Sequence, residues 1–143
     1  RRGTFIHKAL QILPTLPTQQ RKDWLCQATP EGMEVPVSLL TLLENPALKP
    51  LFSEHSMPEV PIIGTVNGFV VSGQVDRLLV TDDAVFIIDY KTNKTPPQTT
   101  EDIPPAYIHQ MHAYKSLLKN LFPAKKITCY LLWTQNLSLM EVV

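Results

Sequence analysis

The sequence has little charge of either sign, few cysteines and no long apolar run, and each shortage excludes a class of protein. Charged residues make up 18% of the 143 residues, and 13 basic side chains balance 13 acidic ones. This balance argues against a polybasic nucleic-acid binder held by net charge alone, although it leaves a local basic groove open. No stretch reaches the roughly 18–20 consecutive apolar residues that a membrane span needs.

Two cysteines, Cys26 and Cys129, are too few for a four-thiolate zinc or iron–sulfur site. We therefore predict two free, reduced core thiols and no iron–sulfur cluster. The chain opens Arg1-Arg2-Gly3, with neither an initiating Met nor a signal peptide. Since 44% of its residues are hydrophobic, its length and composition suit one globular domain. We expect residues 1–143 to be a single domain of a longer cytoplasmic protein.

Helical patterns occupy the first third of the chain. Apolar residues recur at helical spacing from Gly3 to Leu13, where Pro14 ends the pattern. A second helix is predicted to follow Thr18, which suits an N-cap, and a third to span residues 37–44.

Strand patterns take over in the middle of the chain. Asn67-Gly68 is the strongest short hairpin signal, and it joins strands predicted over residues 59–66 and 69–80. A second turn, at Asp82-Asp83, leads into a third strand predicted over residues 85–91. These three strands form an antiparallel meander.

One further helix and two short strands complete the pattern. The helix is predicted from five residues on one stripe: Tyr107, Met111, Tyr114, Leu118 and Leu121. The strands are predicted over residues 127–133 and 137–142. This order indicates an α/β fold with a mixed central sheet, a three-strand antiparallel meander and flanking helices.

The two turns fix which residues lie opposite each other. With Asn67-Gly68 as a two-residue turn, Glu59 lies opposite Asp76; with Asp82-Asp83 as the next turn, Asp76 lies opposite Asp89. The three carboxylates then form a row across one sheet face. Because neighbouring strands lie about 4.8 Å apart, Asp76 and Asp89 could share one cation, with Glu59 better placed for a water or a second ion.

Lys91 lies two residues after Asp89 and therefore projects from the same face. The strands around these residues are apolar on both faces, with Val75 assigned to the face opposite the acids, so helices are expected to cover them. Buried acids and a buried lysine need compensation. A divalent cation would supply it, and an ion pair of Lys91 with Asp89 or Asp76 is an equally good interpretation.

Four short motifs, in order, resemble the RecB-like branch of the PD-(D/E)XK nucleases. They are an N-terminal helix with His7, Gly73-Gln-Val-Asp76 (G-x-x-D), Asp89-Tyr-Lys-Thr92 (D-Y-K-T) and Gln110-Met-His-Ala-Tyr114 (Q-x-x-x-Y). Nearly the whole chain is covered, residues 18–57 only weakly. Within this branch the chain is most similar to the C-terminal nuclease domain of AddA, a subunit of the bacterial AddAB helicase–nuclease.

The resemblance implies a restriction-endonuclease-like core with a metal site. Asp76, Asp89, the backbone carbonyl of Tyr90 and His7 would bind Mg²⁺, with Mn²⁺ as an alternative. Lys91 would be the catalytic lysine, acting together with Asp76 and Asp89.

The same resemblance implies supporting roles around the metal. Gln110 and Tyr114, one helical turn apart, would support the site or contact DNA. Without the resemblance they would be ordinary interface residues. Arg77 could contact a DNA phosphate, and it is equally well explained as a salt-bridge partner.

The implied function is a metal-dependent DNA nuclease, an exonuclease domain of a helicase–nuclease that repairs double-strand breaks. Its partners would be DNA, the remaining AddA-like, ATP-dependent helicase chain and an AddB-like subunit, with no membrane. The motor would lie elsewhere in the parent chain, since these residues contain no G-x-x-x-x-G-K-[ST] phosphate loop. The alternative is a catalytically silent nuclease-like module that binds DNA or docks a subunit, which the presence of Asp76, Asp89 and Lys91 disfavours.

Overall fold

The computed structural model describes residues 1–143 and contains four helices around one sheet. Three helices precede the sheet, α1 (Arg2–Ile12), α2 (Thr18–Ala28) and α3 (Ser38–Glu44), and α4 (Pro105–Leu121) lies within the strand order. Short 3₁₀ turns join these elements at Leu13–Thr15, Lys49–Phe52 and Thr100–Asp102. Thr18 is the first residue of α2 rather than its cap, and Pro17 occupies the capping position. None of the helices combines the length and apolarity required to cross a membrane.

Five strands form one sheet in chain order, and a single neighbouring pair is parallel. They are β1 (Met57–Val66), β2 (Phe69–Val80), β3 (Ala84–Lys91), β4 (Lys126–Trp133) and β5 (Ser138–Val142). β1, β2 and β3 form the antiparallel meander, α4 leads to β4 parallel to β3, and β5 returns antiparallel to β4. The predicted α/β class, mixed sheet and meander are therefore confirmed.

The sheet has an apolar core on each face. α4 covers one face and buries Met111, Tyr114, Leu117 and Leu118 against it. The other face is covered by α1, α2, α3 and the turn at Lys49–Phe52. Leu121 was predicted on the buried stripe, and this is wrong: it is the last residue of α4 and its side chain is exposed.

Both predicted hairpin registers are confirmed. Val66 pairs with Phe69 across the Asn67-Gly68 turn, and both turn residues have positive φ. A two-residue hairpin turn that matches strand twist needs this conformation, which Asn followed by Gly adopts at little cost. Val80 of β2 pairs with Val85 of β3, which is the register predicted for the second hairpin.

The three predicted acids lie in neighbouring strand positions, although the regular ladder is broken there. The β1–β2 pairs on both sides of Glu59 keep the predicted register, and the β2–β3 pairs keep it up to Arg77 and Ile88, so Asp76 lies between Glu59 and Asp89. Glu59 has a φ of 51°, in the left-handed region that non-glycine residues rarely adopt. Beside it, Val75 packs into the α4-side core together with Leu78, an odd number of residues away. The predicted placement of Val75 on the other face is wrong, because strict alternation ends at this distortion.

The two thiols differ in their surroundings. Both cysteines are free, as predicted. Cys129 is buried, and burial raises its pKa to about 12. Cys26 is exposed on α2, so its predicted place in the core is wrong.

Candidate active site

Several elements bring polar side chains together at the carboxyl end of β3. β3 itself contributes Asp89 and Lys91, and the neighbouring β2 contributes Asp76. Because α4 connects two parallel strands, it begins at this end of the sheet and brings Gln110 there. α1 brings His7 to the same place. We call these five residues the acid cluster.

Asp76 is the most constrained member of the acid cluster. Its Oδ2 accepts a hydrogen bond from the backbone N–H of Tyr90 at 2.6 Å. Burial, and next the neighbouring carboxyl group of Asp89, raise the pKa of Asp76 to about 7. Asp76 therefore keeps its proton to a much higher pH than an ordinary aspartate.

His7 has an unsatisfied nitrogen in this cluster. Its Nε2 lies 3.1 Å from Oδ1 of Asp76 and 3.8 Å from Oε1 of Glu59. Nevertheless the atom is buried, and the geometry gives it no hydrogen bond. The ring is held edge-on against Tyr90, with 5.2 Å between the ring centroids. A buried imidazole nitrogen that makes no hydrogen bond, next to two carboxylates, is a donor set that a divalent cation would satisfy.

Lys91 is held from three sides. Its Nζ lies 2.8 Å from Oδ2 of Asp89, donates to Oε1 of Gln110 at 3.0 Å, and lies 4.2 Å from the ring centroid of Tyr107. Gln110 in turn donates through Nε2 to the hydroxyl of Tyr114 at 3.4 Å. The ion pair of Lys91 with Asp89, one of the two interpretations of the spacing, is therefore formed.

The position of Tyr114 depends on a close approach between α4 and the first hairpin. A Cβ added at Gly73 would collide with the Tyr114 hydroxyl, and one added at Gly64 would collide with Leu117. The glycine of the G-x-x-D motif thus admits the tyrosine of the Q-x-x-x-Y motif. Burial raises the pKa of Tyr114, so its hydroxyl remains protonated and can donate.

The oxygen and imidazole donors of the acid cluster are of the types that bind a divalent cation, but they do not surround a common metal position. No three His, Cys, Asp or Glu side chains form a ready metal-binding group. Lys91 engages one oxygen of Asp89, and the Tyr90 amide engages one oxygen of Asp76. Each carboxylate retains lone pairs, and separating the two carboxyl groups would expose them to an ion.

Glu59 lies beside the acid cluster, whereas Arg77 lies on the other face of the sheet. Glu59 is exposed, and one of its carboxylate oxygens lies 3.8 Å from Nε2 of His7. Arg77 is buried on the other face, donates to the Ser56 hydroxyl at 3.3 Å and lies 5.5 Å from the Phe52 ring centroid. The predicted phosphate contact of Arg77 is corrected accordingly, because its guanidinium is not accessible, and it has no carboxylate partner either.

The sequence interpretation missed two residues that position Lys91. Tyr107, assigned only to the apolar stripe of α4, lies against the ammonium group and donates its hydroxyl hydrogen to Asn93 at 3.0 Å. Thr134 anchors the Lys91 carbonyl through its backbone N–H at 2.8 Å and its hydroxyl at 3.1 Å. No local pattern marks Thr134, because the contact depends on the parallel pairing of β3 with β4.

Comparison with solved structures shows the fold. The "Putative exonuclease" of Eubacterium rectale aligns over 100% of this chain, with a TM-score of 0.54 and 12% sequence identity. The alignment covers 59% of that protein, so this chain spans about three-fifths of its length. A second structure, of the protein SSO0001, aligns over 74% of this chain and 46% of its own, with a TM-score of 0.40 and 17% identity. The first alignment is consistent with the predicted restriction-endonuclease-like core.

Comparison at the sequence level gives the family. No curated protein matches the chain significantly. The family model of the PD-(D/E)XK nuclease superfamily matches residues 1–136, which is nearly the whole chain. Nucleases of this superfamily generally use divalent metal ions. This chain belongs to the PD-(D/E)XK nuclease superfamily.

Proposed function

We propose that the chain is a metal-dependent DNA exonuclease domain that hydrolyses phosphodiester bonds at the acid cluster. The supporting observation is the convergence of His7, Asp76 and Glu59: the buried Nε2 of His7 lies 3.1 Å and 3.8 Å from the two carboxylates without forming a hydrogen bond. An imidazole nitrogen and carboxylate oxygens that point toward one another are donors that a divalent cation can bind. The superfamily assignment supports the same reaction class.

The ligands of the ion would be Asp76, Asp89, His7 and the backbone carbonyl of Tyr90, and the ion would be Mg²⁺ or Mn²⁺. Bound there, a divalent ion supplies a nucleophilic water at neutral pH and neutralises charge on the phosphate. Glu59, exposed and 3.8 Å from His7, is available to hold a water molecule.

The catalytic lysine of the proposal is Lys91. Its ammonium group would stabilise negative charge that develops on the phosphate oxygens. Gln110 and Tyr107 position the ammonium group, and Tyr114 positions Gln110. When Asp89 turns toward a metal ion, Gln110 and the Tyr107 ring still hold Lys91 in place.

We further propose that the domain works within a longer, cytoplasmic helicase–nuclease similar to AddA, with an AddB-like partner, in the repair of double-strand breaks. The four motifs of the RecB-like branch support this proposal. The chain spans about three-fifths of the Eubacterium rectale protein, which agrees with a domain of a longer chain. The helicase motor would be supplied by another part of the parent chain.

Cleavage of end-labelled single-stranded DNA tests the activity. We expect cleavage with Mg²⁺ or Mn²⁺, none with chelator, and at least about a hundredfold loss in Asp89→Asn and Lys91→Met. Asp82→Asn, in the exposed β2–β3 turn, is the matched control and should cleave like the original chain. Circular DNA distinguishes an exonuclease, which needs an end, from an endonuclease. Equal cleavage by Asp89→Asn would reject the site.

The second candidate is a silent module that binds DNA or docks a subunit. The specific observation in its favour is the closed Lys91–Asp89 ion pair together with the absence of a ready three-ligand group. Calorimetric titration with Mn²⁺ separates the two candidates. The nuclease binds Mn²⁺, loses it in Asp89→Asn and keeps it in Lys91→Met, whereas a silent module binds none.

A further inference from the structure

A groove of about 880 Å³ lies on the α4 face of the sheet, at the end remote from Lys91. The second half of α4, the start of β4 and the tip of the β1–β2 hairpin form its walls. Four lysines line it, and no acidic residue does: Lys115, Lys119, Lys125 and Lys126. We call it the lysine groove. In a chain with 13 basic and 13 acidic residues, this is a local concentration of positive charge.

None of the four lysines is neutralised by a carboxylate. Lys49 and Lys91 have carboxylate oxygens within 4 Å, whereas no lysine of the groove does. Lys119 and Lys125 donate only to backbone carbonyls, of Lys125 and Thr81 respectively. Lys115 and Lys126 are without side-chain hydrogen bonds. The positive potential is thus available to a ligand.

Three acids lie on the neighbouring elements, and none of them closes the groove. Asp82 and Asp83 occupy the β2–β3 turn, and Glu141 lies on β5. No oxygen of these residues comes within salt-bridge distance of a groove lysine, and the groove is lined instead by polar residues such as Asn67 and Asn120. The unneutralised lysines therefore favour an anion with several charges.

The hairpin wall favours nucleic acid among such anions. Phe69 is 76% exposed and pairs with Val66, which lines the groove, so both lie on the same face of the hairpin. Lysine ammonium groups bind phosphates as point charges, and an exposed aromatic ring beside them can stack on a base. An acidic peptide would use the lysines but has no need of the ring.

We propose that the lysine groove binds the backbone of the DNA strand several nucleotides away from the bond that is cleaved. The proposal rests on the proposed nuclease function. In the parallel pair, Lys126 lies opposite Ala84 and Trp133 opposite Lys91, so seven residues of strand separate the groove from the acid cluster. This is about 23 Å, a distance that several nucleotides of a DNA strand span.

DNA binding without metal provides the first test. Fluorescence anisotropy in chelator, with a labelled oligothymidine of about 20 nucleotides at several NaCl concentrations, compares the original chain with Lys115→Gln/Lys126→Gln. We expect Kd to rise about tenfold and the slope of log K against log[NaCl] to fall by about 1.4, since each contact contributes about 0.7 on single strands. The control Lys22→Gln/Lys49→Gln loses the same charge on the other face and should bind within about twofold of the original chain.

Cleavage provides the second test, because the groove acts at a distance. For the substrate of about 20 nucleotides we expect the double variant to have a higher KM and an unchanged kcat. A substrate of about two nucleotides is too short to span this distance, and its cleavage should be unaffected. A further outcome is that the original chain and both double variants all fail to cleave DNA while the groove variant still binds metal-free DNA more weakly than the other two. This outcome would reject the nuclease function and not the groove.

Three results would overturn the groove proposal. The first is an unchanged salt slope in the double variant, and the second is an equal loss of affinity in the control. The third is polyglutamate binding that depends on the groove lysines and that DNA does not displace, which would assign the groove to an acidic protein segment.

Discussion

The two ends of the sheet hold charge in opposite ways. In the acid cluster, Lys91 lies 2.8 Å from Asp89, and Asp76 is bound to the Tyr90 amide at 2.6 Å. In the lysine groove, no ammonium group has a carboxylate partner. The first arrangement fixes a few groups in a low-dielectric setting, which suits chemistry; the second leaves charge free in water, which suits the capture of a long anion.

The largest effect that we expect comes from removing the ammonium group of the acid cluster. Lys91→Met should lower the cleavage rate about 10²–10³-fold, because preorganised charge near the reacting phosphate is lost. Mn²⁺ binding should persist, since no proposed ligand is removed. Single-turnover cleavage and calorimetry on the same preparation check this. A rate within tenfold of the original would remove Lys91 from the mechanism.

The second largest effect should come from the packing of α4 against the first hairpin, next to the acid cluster. Gly73→Ala places a methyl group against the Tyr114 hydroxyl and should lower the free energy of unfolding by about 1–3 kcal/mol. Adding Tyr114→Phe removes the atom in conflict and should restore part of the loss. Urea unfolding of the two single variants and the double variant measures the coupling. Additive effects would contradict the close approach of α4.

Protonation should sharpen the contrast, because the acid cluster contains a carboxyl group, that of Asp76, with a raised pKa. The pKa of Asp76 is about 7 when folded, against an ordinary 3.8, so the folded state retains a proton that the unfolded chain has lost between these values. Stability without metal should therefore fall as the pH rises from about 4 to about 7.

Asp76→Asn tests this dependence. We expect the variant to be more stable than the original chain at pH 8 by about 1–2 kcal/mol, with no gain at pH 4. Thermal unfolding in chelator across this range measures it. Added Mn²⁺ should stabilise the original chain and not the variant. A pH profile identical in both would show that Asp76 is not the titrating group.

The smallest effect should come from a single lysine of the groove. Lys119→Gln removes one proposed phosphate contact, so the salt slope should fall by about 0.7 and Kd should rise about threefold. The free energy of unfolding should change by less than about 0.5 kcal/mol, because the Lys119 side chain is exposed. Anisotropy titrations and urea unfolding check both. A large loss of stability would mean that Lys119 is structural.

The sequence contained enough to predict most of the sheet and the row of acids. Asn67-Gly68 permits one tight turn, and this turn sets the register that brings Asp76 opposite Glu59. The break of alternation at Glu59 could not be predicted, because no local pattern marks its positive φ. Val75 therefore lies on the other face from the one that strict alternation predicted. Arg77 is buried, which its position next to Asp76 in the motif did not indicate.

By itself, the sequence determined which residues form strands and helices and which carboxylates share one row, since hydrophobic period and turn chemistry act over short distances. Only the tertiary structure decided that Tyr107 and Thr134 position Lys91, that His7 has an unsatisfied nitrogen, and that lysines from α4 and β4 share one groove. These contacts join residues far apart in the chain. Their formation depends on how α1 and α4 pack on the sheet, which no local pattern records.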